Sequence, residues 1–298
     1  MARSATALGR WPAGDTAVRS TRWRGLLRNW SVSVGGGLVV VLAVVGLLTP
    51  VLTVRSPTAL HPGEELRPPT VDFPFGTDEL GRDVASRVLN GARTSLFAAV
   101  SSVSLAAATG VPLGVAIGLA GGLVDLLAMR AFDILFAFPA ILLAIAIVAA
   151  LGPSLRNLVL TITLLTMPQF AVMARGVTLA ARPMDYVQAA VALGASMRRI
   201  AFTHVLPNVV PPLIVTATLN LSIVILVEAG LSFLGLGTQP PAPTLGGMIS
   251  RGRQYMTIAP WLVVFPGLAI MVAVLGFNLL GDGLREVLDP KLRQGGGR

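Results

Sequence analysis

Residues 185–208 read DYVQAAVALGASMRRIAFTHVLPN and lie between two long apolar segments of the chain. The pattern predicts two short helices. Pro183 suits the first turn of one helix, where its missing N–H costs nothing, and Gly194 can end that helix in the left-handed conformation. Ser196 suits the N-cap of a second helix, and Pro207 is expected to stop it. We therefore interpret the segment as a compact helical hairpin.

The hairpin mixes apolar and polar side chains. One helix face is predicted to carry Tyr186, Ala189, Ala190 and Leu193, the second helix offers Met197, Ile200 and Val205 for apolar contacts, and Arg198, Arg199 and His204 remain polar. On the residues alone, two interpretations stay open. The hairpin is either an ordinary structured loop or a surface that docks into a groove of a soluble partner.

The rest of the chain is strongly apolar. Of its 298 residues, 54% are hydrophobic and 12% are charged, and the mean hydropathy is +0.76, whereas soluble domains carry about 25% charged residues. This composition predicts an all-α integral membrane protein. The net charge of +9 does not indicate nucleic-acid binding, because the charges gather at the ends of apolar runs.

Six membrane-spanning helices are predicted from the apolar runs. They cover about 31–54, 94–120, 131–151, 155–173, 211–234 and 260–280. The predicted organisation is an N-terminal tail (1–30), a first span (31–54), a long loop (55–93), a five-helix core (94–281) that includes the hairpin (183–208), and a C-terminal tail (282–298). The first span is interpreted as uncleaved, since no signal-peptidase site is evident. Glycines recur every four residues from Gly110 to Gly122, which favours tight helix packing.

The basic residues orient these spans. The two tails, the short loop around Asp125 and the hairpin carry 15 of the 23 Lys and Arg residues, and the remaining 8 lie on the other side. The positive-inside rule therefore predicts that both termini and the hairpin are cytoplasmic, and that the loop 55–93 is extracytoplasmic.

Several kinds of chemistry are excluded or unsupported. The chain has no Cys, which rules out disulfides, thiolate metal sites and a Cys nucleophile. His61 and His204 lie far apart, so no metal site or catalytic triad is predicted. A Walker A loop requires Gly-Lys followed by Ser or Thr, but the single lysine, Lys291, follows Asp-Pro and precedes Leu. If ATP drives the process, another chain hydrolyses it.

The hairpin resembles the EAA loop of bacterial ABC importer permeases. The resemblance is carried by Ala189-Ala190, Gly194, Ile200 and Leu206-Pro207-Asn208, and Gln188 departs from the acidic residue of the family pattern. Three further blocks resemble the C-type subunit of dipeptide and oligopeptide permeases: residues 75–96, 231–246 and 277–291. Four blocks in the same order make the resemblance specific.

The resemblance implies a type I ABC importer permease with the MetI-like fold, in the bacterial cell membrane. The implied partners are a homologous B-type permease, two ATPase subunits that bind ATP and Mg²⁺, and an extracytoplasmic substrate-binding protein. No cofactor is expected in this chain, and no nucleic acid. The implied cargo is a di- or oligopeptide, with nickel or another small solute as the alternative.

Candidate site residues fall into three groups. The candidates for ATPase coupling are Tyr186, Gln188, Ala189, Ala190, Gly194, Ser196, Arg198, Ile200, His204 and Pro207. Glu228, the one carboxylate deep in an apolar run, is a candidate gate or path-lining residue with Asn220 and Ser222, and the alternative is a structural pair. Candidates for docking the binding protein are Thr77, Asp78, Arg82, Asp83 and Gln239, and the alternative is packing against the sister permease.

A rival from another class is a self-sufficient secondary transporter. Such proteins commonly keep several intramembrane ionisable groups and internal repeats. Glu228 stands nearly alone here, with Asp133 at the end of a span, and no repeat is evident. A membrane-embedded enzyme has no visible nucleophile or metal site to support it.

Overall fold

The computed structural model describes residues 29–53 and 55–288, so the predicted tails at 1–28 and 289–298 lie outside the described residues. The helices are α1 Trp30–Leu52, α2 Val84–Ala120, α3 Gly122–Ala137, α4 Ala140–Leu151, α5 Leu155–Ala181, α6 Asp185–Ala192, α7 Met197–Ile200, α8 Leu206–Phe233, α9 Leu245–Gly252 and α10 Trp261–Leu288. A π-helical turn, Ala201–Val205, joins α7 to α8, and a 3-10 turn, Arg253–Tyr255, follows α9. The described residues contain no strand beyond one isolated bridge between Thr77 and Asp83.

Within residues 29–53 and 55–288, five helical runs are long and apolar enough to cross a membrane: α1, α2, α5, the continuous run Met197–Phe233, and α10. Helices α3 and α4 pass the same test only together, and they meet at an angle of 88°. The described part of the chain is therefore all-helical with five candidate spans, or six if the bent pair is one span.

The third predicted span differs most from the structure. Its predicted straight helix, 131–151, is broken between Ala137 and Ala140, and the short loop predicted around Asp125 is helical in α3. The break follows from Pro139, which lacks an N–H and disfavours helical geometry at the preceding residue. Phe138 accordingly adopts an extended conformation, with φ −88° and ψ 136°.

The second span begins earlier than predicted, at Val84 rather than Thr94. The side chain of Asp83 accepts hydrogen bonds from the backbone N–H groups of Ala85 and Ser86, and this N-cap starts the helix. The long loop therefore ends at residue 83. Helices α5 and α10 also run about two turns beyond their predicted ends, to Ala181 and Leu288.

Pro207 does not stop the second helix of the hairpin, so that prediction is wrong. The chain passes from α7 through the π-helical turn into α8 without a break, and Pro207 lies in the first turn of α8. In that position the missing N–H of proline removes no hydrogen bond of α8 itself. The hairpin is consequently continuous with a membrane span.

Helices α2 and α5 run in the same direction and form the most extensive helix pair. A Cβ atom added at Gly114 would lie 2.1 Å from the carbonyl oxygen of Ala171, and one at Gly110 would lie 2.5 Å from that of Met167. Gly118 faces Thr178 at 2.7 Å in the same way. The tight packing predicted from the glycine spacing is confirmed for these three glycines. Gly122 meets nothing within 4 Å and begins α3 instead.

Substituting Gly114 tests this packing. We expect Gly114→Ala to destabilise the protein by about 1–3 kcal/mol, because the added methyl group overlaps the backbone of α5. Gly176→Ala is the matched control on α5, since its added Cβ meets nothing within 4 Å. It should be neutral or stabilising by about 0.5–1 kcal/mol. Thermal unfolding in detergent measures both, and equal stabilities would contradict the close approach of α2 and α5.

Candidate functional site

The hairpin has the local structure that its residue types predict. Gly194 has a φ of +77°, in the left-handed region, and its N–H donates to the carbonyl oxygen of Val191 at 2.9 Å. The Ser196 hydroxyl accepts from the N–H of Arg199 at 3.4 Å and caps α7. The glycine turn and the serine cap are confirmed. The first helix begins at Asp185 rather than at Pro183, which lies in the turn after α5.

Three buried side chains fix the hairpin to the helix bundle. Val187 from α6, Ile200 from α7 and Val205 from the π-helical turn all join the main hydrophobic core. Polar contacts add to this attachment. The Asn208 amide donates to the Tyr186 hydroxyl at 3.2 Å, and the Gln188 amide donates to the carbonyl oxygen of Arg182 at 2.8 Å. The hairpin is thus packed against the helix bundle, and its second helix runs continuously into α8.

The outer side of the hairpin is apolar and exposed. Leu193, at the tip before Gly194, is 88% exposed. Tyr186 and Val191 of α6 are also exposed, and Met197 and Phe202 are exposed where they line a cavity against α2. The helix face predicted to be apolar, Tyr186 to Leu193, therefore points away from the core. Exposed apolar surface of this kind marks a contact for another molecule.

Glu228 is held inside the helix bundle. It is 1% exposed, and its two carboxylate oxygens accept hydrogen bonds from different hydroxyls. Ser95 of α2 donates to Oε2 at 2.6 Å, and Ser232, one turn later in α8, donates to Oε1 at 2.7 Å. Sequence reasoning identified the carboxylate but missed both partners. Only the contact with Ser232 was predictable from the sequence, because residues i and i+4 are neighbours on the surface of a helix.

Asn220 and Ser222 are also buried between helices. The Asn220 amide donates to the carbonyl oxygen of Thr216 at 2.9 Å, within α8. The Ser222 hydroxyl lies 2.6 Å from the amide oxygen of Asn278 and so links α8 to α10. The structure does not bring these two side chains to the carboxylate of Glu228. Neither they nor Glu228 lie on an open surface of this chain, and their role in a gate stays a prediction.

The long loop is organised around buried polar residues. Asp78 lies between Arg82 and Arg87, with its Oδ2 atom 2.7 Å from Nε of Arg82 and 3.3 Å from Nε of Arg87. The backbone carbonyl of Thr77 accepts from the indole N–H of Trp261 at 3.1 Å, which ties the loop to α10. These groups fix the fold of the loop.

This burial corrects one part of the docking prediction. Thr77, Asp78, Arg82 and Asp83 are all buried, so they build the loop and do not present their side chains to a partner. Gln239 is exposed, and its amide donates to the carbonyl oxygens of Gly235 and Gly237, both at 3.0 Å. The sequence could not show which side chains are buried, because the partners that bury Asp78 and Arg82 include residues distant in the chain, such as Trp261, whose indole bonds to the adjacent Thr77.

The described residues contain no group of three or more His, Asp or Glu side chains that could hold a metal ion. No catalytic arrangement of a nucleophile with a base is present among the residues singled out above. The described structure instead contains two features through which movement of one part of the protein could reach another part. One is the exposed apolar hairpin, and the other is a pair of long helices, α2 and α8, joined by a buried carboxylate.

Comparison with known proteins identifies the family. Residues 110–294 match the family described as the binding-protein-dependent transport system inner membrane component. The dipeptide transport system permease protein DppC of Alkalihalophilus pseudofirmus is 42% identical over 286 residues, covering 95% of this chain and 94% of that protein.

Two further relatives extend over most of the chain. The probable D,D-dipeptide transport system permease protein DdpC of Escherichia coli is 40% identical over 281 residues, 94% of each chain. The di/tripeptide transport system permease protein DppC of Pseudomonas aeruginosa is 43% identical over 266 residues, 87% of this chain and 88% of that one. The chain therefore belongs to the family of binding-protein-dependent transport system inner membrane components, and it is a multi-pass membrane permease.

Proposed function

We propose that this chain is one of two different permease subunits of a type I ABC importer that moves di- and oligopeptides into the cytoplasm by alternating access. The names of its relatives support the peptide cargo. Counting the bent pair α3–α4 as one span gives six spans among the described residues. With six spans, the excess of basic residues supports a cytoplasmic location for both termini and for the hairpin.

The observation that carries this proposal is the hairpin. It presents exposed apolar side chains, its buried residues pack into the main hydrophobic core, and its second helix runs continuously into α8. In the proposed complex it fits a groove of an ATPase subunit, which binds ATP and Mg²⁺ in place of this chain. Closure of the two ATPases on ATP would move the hairpin, and α8 would carry that movement through the membrane.

The ten candidate coupling residues divide into two roles. Seven are exposed and are proposed to contact the ATPase: Tyr186, Gln188, Ala189, Gly194, Ser196, Arg198 and Pro207. Ile200 is buried, and Ala190 and His204 are partly buried, so we assign these three to holding the hairpin in place. The ring centroid of His204 lies 5.9 Å from that of Tyr186, which positions this exposed aromatic side chain.

The long loop is proposed to receive the substrate-binding protein on the extracytoplasmic side. The buried ion pairs of the loop fix its shape. We therefore propose that exposed side chains, such as Val71 and Gln239, contact the substrate-binding protein. We expect a cross-linker on Val71→Cys to capture the binding protein, and one on Leu193→Cys in the hairpin to capture the ATPase instead. Absence of any binding-protein adduct from loop positions would remove the docking proposal.

Uptake by cells that lack this chain tests the function itself. Labelled dipeptides, longer peptides and nickel should be compared with and without a plasmid that restores the chain, and the complex should be purified through this subunit. We expect restored peptide uptake and co-purification of an ATPase. Nickel uptake alone would establish the alternative cargo. Transport by the purified chain without any ATPase would establish a secondary transporter instead.

A further inference from the structure

Helix α5 carries an exposed amide side chain, Gln169, near its middle. Gln169 lies 14 residues after Leu155, so it is ~21 Å along a helix that is ~40 Å long. Within the described residues its side chain has no hydrogen-bond partner, and Pro168 beside it is buried. A polar group at this depth is costly in lipid and normally faces another helix or a water-filled cavity.

The break between α3 and α4 lies directly beside this amide. Phe138 and Pro139 form the non-helical step, and Phe136 and Phe138 are both about half exposed. Non-helical backbone at membrane depth is tolerated where it is buried in protein or lines a water-filled cavity. The break is exposed in this chain. Like Gln169, it therefore needs another protein surface or a water-filled cavity beside it.

A cavity of about 310 Å³ separates the two features. Its wall consists of the end of α3, the non-helical step, the start of α4, and Leu165 with Gln169 from α5. A mostly apolar cavity of about 300–1,000 Å³ with one or a few polar groups is the usual form of a small-molecule site. Here aromatic and aliphatic side chains surround a single amide.

We propose that this cavity is the point at which the permease contacts its cargo in the translocation path, and that the Gln169 amide exchanges hydrogen bonds with a peptide bond of that cargo. An amide both donates and accepts, as a peptide bond does, and Phe136 and Phe138 suit varied apolar side chains. Glu228 is not accessible for this role in the described structure, because its side chain is buried between α2 and α8. The inference rests on the proposed function.

Water access provides the first test and is independent of the cargo. The chain contains no Cys, so Gln169→Cys introduces its only thiol. Leu160→Cys is the matched control, because nine residues on an α-helix place position 160 on the opposite face of α5. In the assembled complex, a membrane-impermeant methanethiosulfonate should label position 169 and leave position 160 unlabelled. Labelling at neither position, or cross-linking of position 169 to the sister permease without labelling, would overturn the inference.

Uptake kinetics provide the second test. We expect Gln169→Leu to raise the apparent KM for a labelled dipeptide about five- to tenfold, the effect of one lost hydrogen bond, with maximal uptake lowered less than about twofold. Gln254→Leu, at another exposed glutamine in the 3-10 turn after α9, should leave the KM unchanged. A Gln169→Leu complex with the wild-type KM contradicts cargo contact. Failure of wild-type peptide uptake would instead refute the proposed function, and the labelling result would still report whether the cavity lies on the water path.

Discussion

Replacing Gly194 by proline is expected to lower peptide uptake by about tenfold or more. Proline fixes φ near −65°, whereas Gly194 has a φ of +77°. Proline also removes the N–H that donates to the carbonyl oxygen of Val191. A Cβ at position 194 would meet no atom within 4 Å, so the effect comes from the backbone of the hairpin and not from a collision. Uptake and substrate-stimulated ATPase activity in proteoliposomes measure the loss.

A valine pair provides the control for this prediction. Gly152, between α4 and α5, has a φ of +88° and is equally open around its Cβ position. Gly152→Val therefore carries a conformational cost of its own of about 1–3 kcal/mol, because Gly152, with φ 88° and ψ 147°, lies in a backbone region that is essentially restricted to glycine. Because Gly152 lies outside the hairpin, only Gly194→Val should reduce ATPase stimulation by substrate. Survival of stimulation and uptake in Gly194→Pro would show that the hairpin is not the coupling element.

The hairpin was predictable because its determinants are local. A glycine that ends one helix and a serine that caps the next act within a few residues, and both appear in the structure as expected. Pro207 misled the prediction, since its effect depends on whether it lies inside a helix or in its first turn. The π-helical turn before it, which decides that question, has no comparably simple sequence signal.

The long loop was the least predictable region because its contacts are distant in sequence. Arg87 falls within the predicted loop 55–93, but it lies in α2, and its guanidinium is buried beside Asp78 and donates to the carbonyl oxygen of Pro57 at 2.8 Å. The indole of Trp261 reaches the same loop from 184 residues away. A single charged residue in a sequence predicts exposure to solvent. Only the tertiary structure shows that these charged residues are paired and buried.

Gln169 shows the opposite situation, in which a sequence signal was present and not used. It is an amide next to a proline in the interior of a predicted span, and Pro139 interrupts the preceding apolar segment. Each feature alone is compatible with ordinary helix packing. Their juxtaposition in one cavity required the 88° bend between α3 and α4, which cannot be read from composition.

Glu228→Leu is expected to prevent normal assembly of the complex, whereas Glu228→Gln should permit it. Leucine leaves the buried hydroxyls of Ser95 and Ser232 without their shared acceptor, at a cost of about 1–3 kcal/mol each. Glutamine retains one oxygen that accepts from a hydroxyl and gains an NH₂ group that can donate to the other. The yield of intact complex after affinity purification should separate the two variants.

Uptake by the Glu228→Gln complex then separates a structural role from a gating role. Ser95 belongs to α2 and Ser232 to α8, so the carboxylate joins two spans that must move together if Glu228 acts at a gate. We expect uptake to fall about two- to fivefold with assembly unchanged. Replacing one carboxylate oxygen with an amide NH₂ group weakens the link between α2 and α8 by a fraction of the free energy of one hydrogen bond. Ser95→Ala should produce a similar loss, and the double variant should lose less than the sum of both, because the two groups share one interaction. Unchanged uptake in Glu228→Gln would remove the gating hypothesis and leave Glu228 as a structural link between α2 and α8.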